Sequence, residues 1–229
     1  MRKHVVRPGD TLGKIAKLYY GDAALYEKLA KYNGIFNPNI IIDGRIIYIP
    51  SKAELIGVPP EPPAEDYGVR PPRGLQEIMD TFGDITKYIG ADGTLKPQWE
   101  SKYLCRAKLP FPLRLSWDPD QEVKSILCHV ELKEIFPEVF RAIENQGMKN
   151  KVRTYGGCFN FRSKRLGSKL STHSWGIAIG LNPETNAQGT RGDMYLGLVG
   201  VCKGFGFAWG GDWPGYSKDP MHFQFCTGY

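Results

Sequence analysis

The chain has 229 residues, a net charge of +6 at pH 7 and a pI of about 9.0. Hydrophobic residues make up 41% and charged residues 24%, a composition that argues against a disordered or fibrous protein. No apolar run approaches the roughly 20 residues that a membrane-spanning helix needs. The basic residues are scattered and form no zinc finger or RNA-binding signature, so we expect neither nucleic-acid binding nor membrane insertion.

Two features of the sequence bear on the compartment of the protein, the N-terminus and the cysteines. The N-terminus turns polar within a few residues and has no apolar stretch, which predicts that no signal peptide is present. The five cysteines are odd in number and contain no C-x-x-C pair, so free thiols are expected. One disulfide in an exported form of the protein is an alternative that the sequence leaves open.

The N-terminal part of the chain has the pattern of a small domain. Residues 4–6 are predicted as a short strand, and Thr11 as the cap of a helix that begins at Leu12. A second helix is predicted over 23–32 and a second strand over 45–50. The expected order is therefore strand, helix, helix, strand.

A proline-rich stretch separates this domain from the rest. Residues 57–74 contain six prolines, which exclude a helix or an inner strand and favour an extended spacer. We predict a first domain over 1–50, a linker over 51–74 and a second domain over 75–229.

The second domain mixes helices and strands. One helix is predicted over 75–88 and a longer one over 123–145, with a break near Pro137. The segments 94–105 and 111–115 are ambiguous. Shorter elements are predicted as strands over 152–155, 177–179 and 223–225 and as a helix over 194–203. The expected fold class is α+β, with helices packed on a small, mostly antiparallel sheet.

Two of the four histidines stand in surroundings that suggest chemistry. His173 lies in a run rich in serine and glycine, and Asp219 precedes His222 by three residues. A zinc hydrolase needs three protein ligands, an open position for water and a carboxylate that accepts a proton. The D-x-x-H spacing alone is common by chance, and a single histidine is more often a core or surface residue than a ligand.

The first domain agrees with a family pattern at many positions. The residues that agree are Val6, Gly9, Asp10, Thr11, Leu12, Ile15, Ala16, Asn33, Asn37, Pro38, Ile40, Gly44, Ile49 and Pro50. This pattern resembles a LysM module, which binds glycans that contain N-acetylglucosamine, such as peptidoglycan. The resemblance implies a binding groove between two loops. The residues expected to line it are Gly9, Asp10, Thr11, Leu12, Asn39, Ile40 and Ile41.

The second domain resembles the zinc peptidases of family M15, which include D-alanyl-D-alanine carboxypeptidases and phage endopeptidases. The residues that carry the resemblance are Ser171, His173, Gly176 and Ala178, the run 209–213 and the run 218–223. It implies that His173 and His222 bind zinc and that Asp219 is the general base. It also implies that Arg162 holds a carbonyl or carboxylate of the substrate, a role suited to a permanently charged guanidinium.

One departure from the family pattern concerns the metal. The pattern has an aspartate as the third zinc ligand, and this sequence has Gly180 there. An engineered inactivation, a natural loss of activity and a substitute ligand all stay open. Candidate substitutes are Asp193, Asp212 and Glu184. We expect zinc binding to be weak or absent and hydrolysis to be strongly reduced.

These observations predict an endolysin-like protein of the cell wall. It would be made in a host cytoplasm, act at the wall as a monomer, and contact both the glycan and the stem peptide of peptidoglycan. The expected scissile bond is the amide between L-alanine and D-glutamate. The alternative is a wall-binding protein whose peptidase fold has lost its activity. A structural or nucleic-acid role driven by the +6 charge explains none of the motifs.

Overall fold

The computed structural model describes residues 2–33, 35, 37–56, 67–165 and 167–229. The chain divides into two compact units, Met1–Pro60 and Glu61–Tyr229. The core of the predicted linker, 57–66, lies outside the described residues. Within the described residues, no helix combines the length and the apolar character that crossing a membrane requires.

The first unit is a two-stranded sheet with helices packed against it. Its elements are β1 (Arg2–Val5), α1 (Leu12–Tyr20), a 3-10 turn (Ala23–Leu25), α2 (Tyr26–Tyr32), β2 (Ile46–Ile49) and α3 (Lys52–Ile56). The strands β1 and β2 are antiparallel, with Arg2 opposite Ile49 and Val5 opposite Ile46. The predicted order of strand, helix, helix, strand is confirmed.

Local signals account for the bounds of α1. The hydroxyl of Thr11 accepts a hydrogen bond from the amide of Lys14 (3.2 Å), which satisfies one of the free donors at the start of the helix. Gly21 ends the helix with a φ of 75°, a conformation that glycine adopts without strain. Both predicted ends of this helix are therefore confirmed.

Two details of the first unit differ from the prediction. The second helix begins as the 3-10 turn Ala23–Leu25, because the side chain of Asp22 accepts from the amide of Ala24 and sets a tight first turn. The unit also extends past Pro50, because α3 places Leu55, which is 4% exposed, in the first core. The segment predicted as a linker is thus partly helical.

Asn33 joins α2 to β2. Its side-chain amide donates to the carbonyl oxygens of Leu29 and Tyr48 (both 2.9 Å), and its side-chain oxygen accepts from the amide of Tyr48 (2.7 Å). This motif position is therefore occupied by structural hydrogen bonds.

Replacing Asn33 by alanine is expected to destabilise the first unit by about 1–2 kcal/mol, because three hydrogen bonds are lost and backbone groups of β2 lose their partner. In a calorimetric scan of the full chain, the transition of the first unit should fall by about 5–10 °C. Asn39→Ala, at an exposed position of the same unit, is the matched control and should leave the transition in place. Equal shifts for the two variants would contradict the structural role of Asn33.

The second unit carries two antiparallel sheets. Its helices are α4 (Gly74–Phe82), α5 (Pro97–Tyr103), α6 (Ile135–Asn145) and α7 (Leu196–Gly204). Its strands are β3 (Leu104–Arg114), β4 (Glu122–His129), β5 (Ala178–Gly180), β6 (Ala208–Trp209) and β7 (His222–Gln224). Strands β3 and β4 form a hairpin, and the second sheet has the order β5-β7-β6. The predicted α+β class is confirmed.

The prediction of one long helix over 123–145 is wrong. Its first part is β4, because the side chains there alternate in burial and the strand pairs with β3 along most of its length. The helix α6 begins only at Ile135. Pro137 lies in its first turn, where a missing backbone N–H has no partner to lose, so the proline does not break the helix.

The helix predicted over 75–88 is also interrupted. It ends at Phe82, because Gly83 has a φ of 89° and packs against Tyr103, where an added Cβ would lie 2.7 Å from the ring. A 3-10 turn over Ile85–Tyr88 follows. The segment predicted as a strand over 152–155 forms only isolated bridges, from Tyr155 to Leu115 and Leu181.

The core of the second unit lies among its helices and both sheets. Large side chains that are fully buried there are Phe82, Trp99, Phe136, Phe140, Trp175, Phe223 and Phe225. This core holds the short sheet β5-β7-β6 and the turn before it in fixed positions, which matters because both carry the predicted site residues.

Candidate functional site

A cavity of about 720 Å³ in the second unit brings the predicted site residues together. Its lining includes Arg162, His173, Gly180, Asp219 and His222, although these positions are spread over the last third of the sequence. The sheet β5-β7-β6 and the turn before β5 supply most of them. The structure therefore places all five residues at one site.

His173 is held in a tight 3-10 turn, Thr172–Trp175. Gly176 closes the turn with a φ of 70°, and a Cβ there would lie 2.9 Å from the amide nitrogen of His129. The ring nitrogen Nδ1 of His173 lies 2.6 Å from the carbonyl oxygen of Cys158. A carbonyl only accepts, so Nδ1 carries the hydrogen and Nε2 keeps a free lone pair. This is the arrangement of a histidine that is ready to bind a metal.

His222 is held differently. Its Nε2 lies 3.0 Å from the side-chain oxygen of Gln224 and 3.3 Å from the hydroxyl of Thr172. The amide oxygen only accepts, so Nε2 of His222 carries the hydrogen and is engaged. The sequence analysis did not identify Gln224, although its spacing of two residues from His222 on a strand places both side chains on the same face.

Both histidines are neutral near pH 7. Burial lowers the pKa of His173 to about 4 and that of His222 to about 3. Their ring centroids are 5.0 Å apart, and Trp213 lies beside His222 with a centroid distance of 5.4 Å. Neutral imidazole is the form that binds metals, and these two rings lie close enough to bind the same metal ion.

Asp219 supplies a carboxylate with unused hydrogen-bonding capacity. Its Oδ1 is buried and has no hydrogen-bond partner among the residues that the structure describes. Burial raises the pKa of this carboxyl to about 6, and the positive charges of Arg165 and Arg162 oppose that shift. A buried acceptor without a partner is costly, and it is therefore a candidate for contact with a ligand or a proton.

Two guanidinium groups face the same cavity. Arg162 is half-buried, and its backbone is fixed to the His173 turn because its amide donates to the hydroxyl of Ser174 (3.1 Å). Burial and the charge of Arg165 lower the pKa of Arg162. Among the described residues, neither arginine forms an ion pair with a carboxylate. The sequence analysis missed Arg165; its position three residues after Arg162 was the available signal.

The position of Gly180 is the incomplete part of the site. Gly180 lies directly opposite His222 in the pairing of β5 with β7. A Cβ at this position would lie 3.4 Å from the Cα of Gly156, a tight contact that a small adjustment relieves. Neighbouring residues on paired strands have Cβ atoms about 4.5–5.5 Å apart, so a side chain here would stand beside the His222 ring.

None of the three candidate substitute ligands lines the cavity. Asp193 is paired with Arg153 (2.9 Å) and Asp212 with Lys203 (2.6 Å). The carboxylate of Glu184 accepts from the hydroxyl of Thr154. These carboxylates serve local ion pairs and hydrogen bonds.

Among the described residues, the cavity lacks a third side chain at the position where the resemblance implies a zinc ligand. Catalytic zinc takes three protein ligands. The cavity offers two neutral histidines, each with one ring nitrogen that keeps its lone pair (Nε2 of His173 and Nδ1 of His222), and a glycine at the third position. Within the described ranges, no group of three histidine, cysteine or acidic side chains is arranged to hold a metal ion.

The predicted glycan-binding loop of the first unit is built around Asp10. Its carboxylate accepts from the amide of Arg7 (2.8 Å) and contacts Nε2 of His4 (2.9 Å). The hydrogen bond from His4 and that from the Arg7 amide lower the pKa of Asp10. Gly9 and Thr11 are exposed beside it. The loop is thus fixed by its own contacts.

The apolar residues of the predicted groove have different exposures. Leu12 is only 1% exposed because its side chain packs in the core of the first unit, and its contact with a glycan stays a prediction. Ile40 is 62% exposed, Asn39 is exposed, and Ile41 is half-buried against the core that contains Leu12. The exposed apolar surface is therefore supplied by the segment that contains Asn39 and Ile40.

The chain thus consists of a small βααβ unit and an α+β unit whose cavity is lined by histidine, aspartate and arginine side chains. Residues 4–50 match the LysM domain family. Residues 165–225 match a family described as D-alanyl-D-alanine carboxypeptidase. These two matches suggest peptidoglycan binding for the first unit and similarity to a D-alanyl-D-alanine carboxypeptidase-like hydrolase for the second.

The curated relatives share one short stretch with this chain. An uncharacterised protein of Deinococcus radiodurans is 51% identical over 47 residues, which are 20% of this chain and 19% of that protein. Esterases from two strains of Mycobacterium tuberculosis are 43% identical over 47 residues, 20% of this chain and 10% of theirs. The chain thus spans a fifth or less of these relatives. No solved structure matches it.

Proposed function

We propose that this protein binds peptidoglycan through its LysM domain and holds a stem peptide in the cavity of its second domain. We further propose that its peptide hydrolysis is impaired. The observation that carries this proposal is Gly180, which stands opposite His222 where the family pattern has an acidic ligand. The proposed bond is the amide between L-alanine and D-glutamate.

The charges of the cavity support a peptide with a free carboxylate as the ligand. Arg162 and Arg165 face the cavity without ion-pair partners in the described part of the chain, and the two histidines are neutral. An anionic ligand would supply the missing partner, and a guanidinium can bind its carboxylate through two parallel hydrogen bonds. Stem peptides of peptidoglycan carry such carboxylates.

Asp219 is proposed as the proton acceptor for an attacking water. Its Oδ1 has no hydrogen-bond partner in the described ranges, and burial raises its pKa to about 6, so the carboxylate is ionised but basic near pH 7. His173 and His222 are proposed as zinc ligands that need a third ligand before they bind the metal firmly. The family is generally zinc dependent. Because Gly180 stands where the family pattern has an aspartate ligand, the affinity of this chain for zinc would be lower.

The LysM domain is proposed to hold the second domain near its substrate. Two binding sites on one chain act on the same polymer at a high effective concentration, provided that the connection can span them. A modest affinity of the cavity for a single stem peptide would therefore suffice.

Replacing Ile40 by alanine is expected to weaken binding to purified peptidoglycan about 3- to 10-fold, because an exposed apolar contact of roughly 1 kcal/mol is lost. The measurement is a sedimentation assay with the full chain over a range of protein concentrations. Leu18→Ala is the matched control, because Leu18 is 69% exposed on α1, outside the proposed groove. A larger loss for Leu18→Ala than for Ile40→Ala would place the glycan elsewhere.

A second function, a wall-binding protein without activity, is favoured by Gly180, which leaves the position opposite His222 without an acidic side chain. The two functions share peptidoglycan binding, so a sedimentation assay does not separate them. Release of free peptides from purified peptidoglycan does: measurable release supports the impaired hydrolase, and its absence at high protein concentration supports the binding protein.

A further inference from the structure

Two cysteines of the second unit face each other across a hairpin. Cys105 on β3 and Cys128 on β4 are directly opposite in the antiparallel register. The neighbouring pair on the same face, Ala107 and Ile126, is buried at 1% exposure for each residue. Burial raises the pKa of both thiols. All five cysteines are free in the structure.

We propose that Cys105 and Cys128 form a disulfide when the protein meets an oxidising environment. Directly opposite residues on paired strands have Cβ atoms about 4.5–5.5 Å apart, and a disulfide needs about 3.5–4.5 Å, so a small local movement is enough. The pair belongs to one hairpin, and its side chains already point to the same side. The inference stands apart from the function proposed for the cavity.

The two thiols differ in accessibility, which sets the order of the reaction. Cys105 is half-buried, whereas Cys128 is 0% exposed. A small-molecule disulfide reaches Cys105 first: the Cys105 thiolate attacks one sulfur, forms a mixed disulfide and releases one thiolate. The Cys128 thiolate then attacks the sulfur of Cys105 and displaces the second thiolate. The protein loses two electrons and two protons, and the small disulfide becomes two thiols.

The other three cysteines have different surroundings. The thiol of Cys158 donates to the carbonyl oxygen of Gly176 at 3.4 Å. Cys202 is buried within α7, and Cys226 is buried beyond β7. In the ranges that the structure describes, no group of three histidine, cysteine or acidic side chains is arranged to hold a metal ion.

The cysteine pair lies next to a residue that is hydrogen-bonded to the His173 turn. His129 follows Cys128, and its amide donates to the carbonyl oxygen of Gly176 (3.0 Å), the residue that closes the His173 turn. A crosslink at Cys105 and Cys128 would therefore fix the end of the hairpin on which this turn rests. A protein that works at the cell wall would gain this bond only after leaving a reducing compartment.

The test is to treat the full chain with oxidised glutathione at about pH 8, where more thiolate is present than at neutral pH. We expect thiol titration in denaturant to fall from five to three, and peptide mapping to show a link between the peptides of Cys105 and Cys128. The melting temperature of the second unit should rise by about 5 °C or more and return on reduction.

Two variants make the result specific. Cys105→Ala should keep all four remaining thiols after oxidation and show no rise in melting temperature. Cys202→Ala removes a buried cysteine elsewhere and should still lose two thiols. Retention of five thiols by the parent chain, or a link between Cys128 and Cys158 instead, would overturn the proposal.

Discussion

The Gly180→Asp variant is expected to bind one equivalent of zinc and to release peptides from purified peptidoglycan at least about 100-fold faster than the parent chain. Loss of a group that merely supports a metal ligand typically costs 10–100-fold, and a missing ligand costs more. The aspartate would stand beside His222 on the paired strand and within the cavity that also contains His173. Zinc content by elemental analysis and peptide release by chromatography are the two measurements.

The backbone can accept this substitution. The φ of Gly180 is not positive, so a side chain brings no backbone strain there. An added Cβ approaches the Cα of Gly156 at 3.4 Å, which is tight, and both residues line the open cavity into which the rest of the side chain can extend. The hydrogen bond from Nε2 of His222 to Gln224 can persist, because Nδ1 of the same ring keeps its lone pair.

The matched control is Gly180→Asn, which has nearly the same shape without the negative charge. It should fold like the aspartate variant and bind zinc poorly, because an amide is a weak zinc ligand compared with a carboxylate. One equivalent of zinc in the parent chain would show that another residue completes the site. No zinc in a folded Gly180→Asp variant would show that the two histidines are not metal ligands.

The Arg162→Ala variant is expected to bind a soluble stem peptide with a free carboxylate about 10- to 100-fold more weakly than the parent. Hydrogen bonds to charged groups contribute about 1.5–3 kcal/mol, and the half-buried position of Arg162 limits screening by water. Calorimetric titration of the full chain with the peptide measures the change. Binding to intact peptidoglycan should fall less, because the LysM domain is unaffected.

Arg106→Ala is the control for the charge itself, because Arg106 is exposed on β3 and does not line the cavity. It should leave the affinity for the peptide nearly unchanged. A titration with the amidated peptide separates the two possible roles of Arg162. If Arg162→Ala and the parent bind the amidated peptide with equal affinity, Arg162 binds the carboxylate. If Arg162→Ala still binds the amidated peptide more weakly, Arg162 binds a carbonyl.

Local signals in the sequence were sufficient to predict the order of elements in the first unit and several residues that line the cavity. The cap at Thr11 and the stop at Gly21 act within one helical turn, so their positions are readable without tertiary structure. The spacing of Asp219 and His222 and the pattern around His173 identified residues that do line one cavity. The roles of these residues remain proposals.

Elements whose form depends on distant partners were predicted less well. Segment 122–129 has a composition that suits a helix, yet it is a strand because pairing with β3 satisfies its backbone and buries one face. Leu12 fits a groove by family pattern, yet packing places it in the core. Neither outcome can be read from a local window, because the stabilising contacts join residues far apart in the sequence.

The sequence by itself determined the two-domain order, the α+β class, the candidate cavity residues and the glycine where a ligand is expected. Tertiary structure alone decided the chemical state of the site. It showed that Nε2 of His173 is free while that of His222 is engaged by Gln224, and that Arg165 joins Arg162. The physical reason is that capping and turn signals act within a few residues. Hydrogen-bond partners, burial and pKa shifts arise only when strands and turns meet in space.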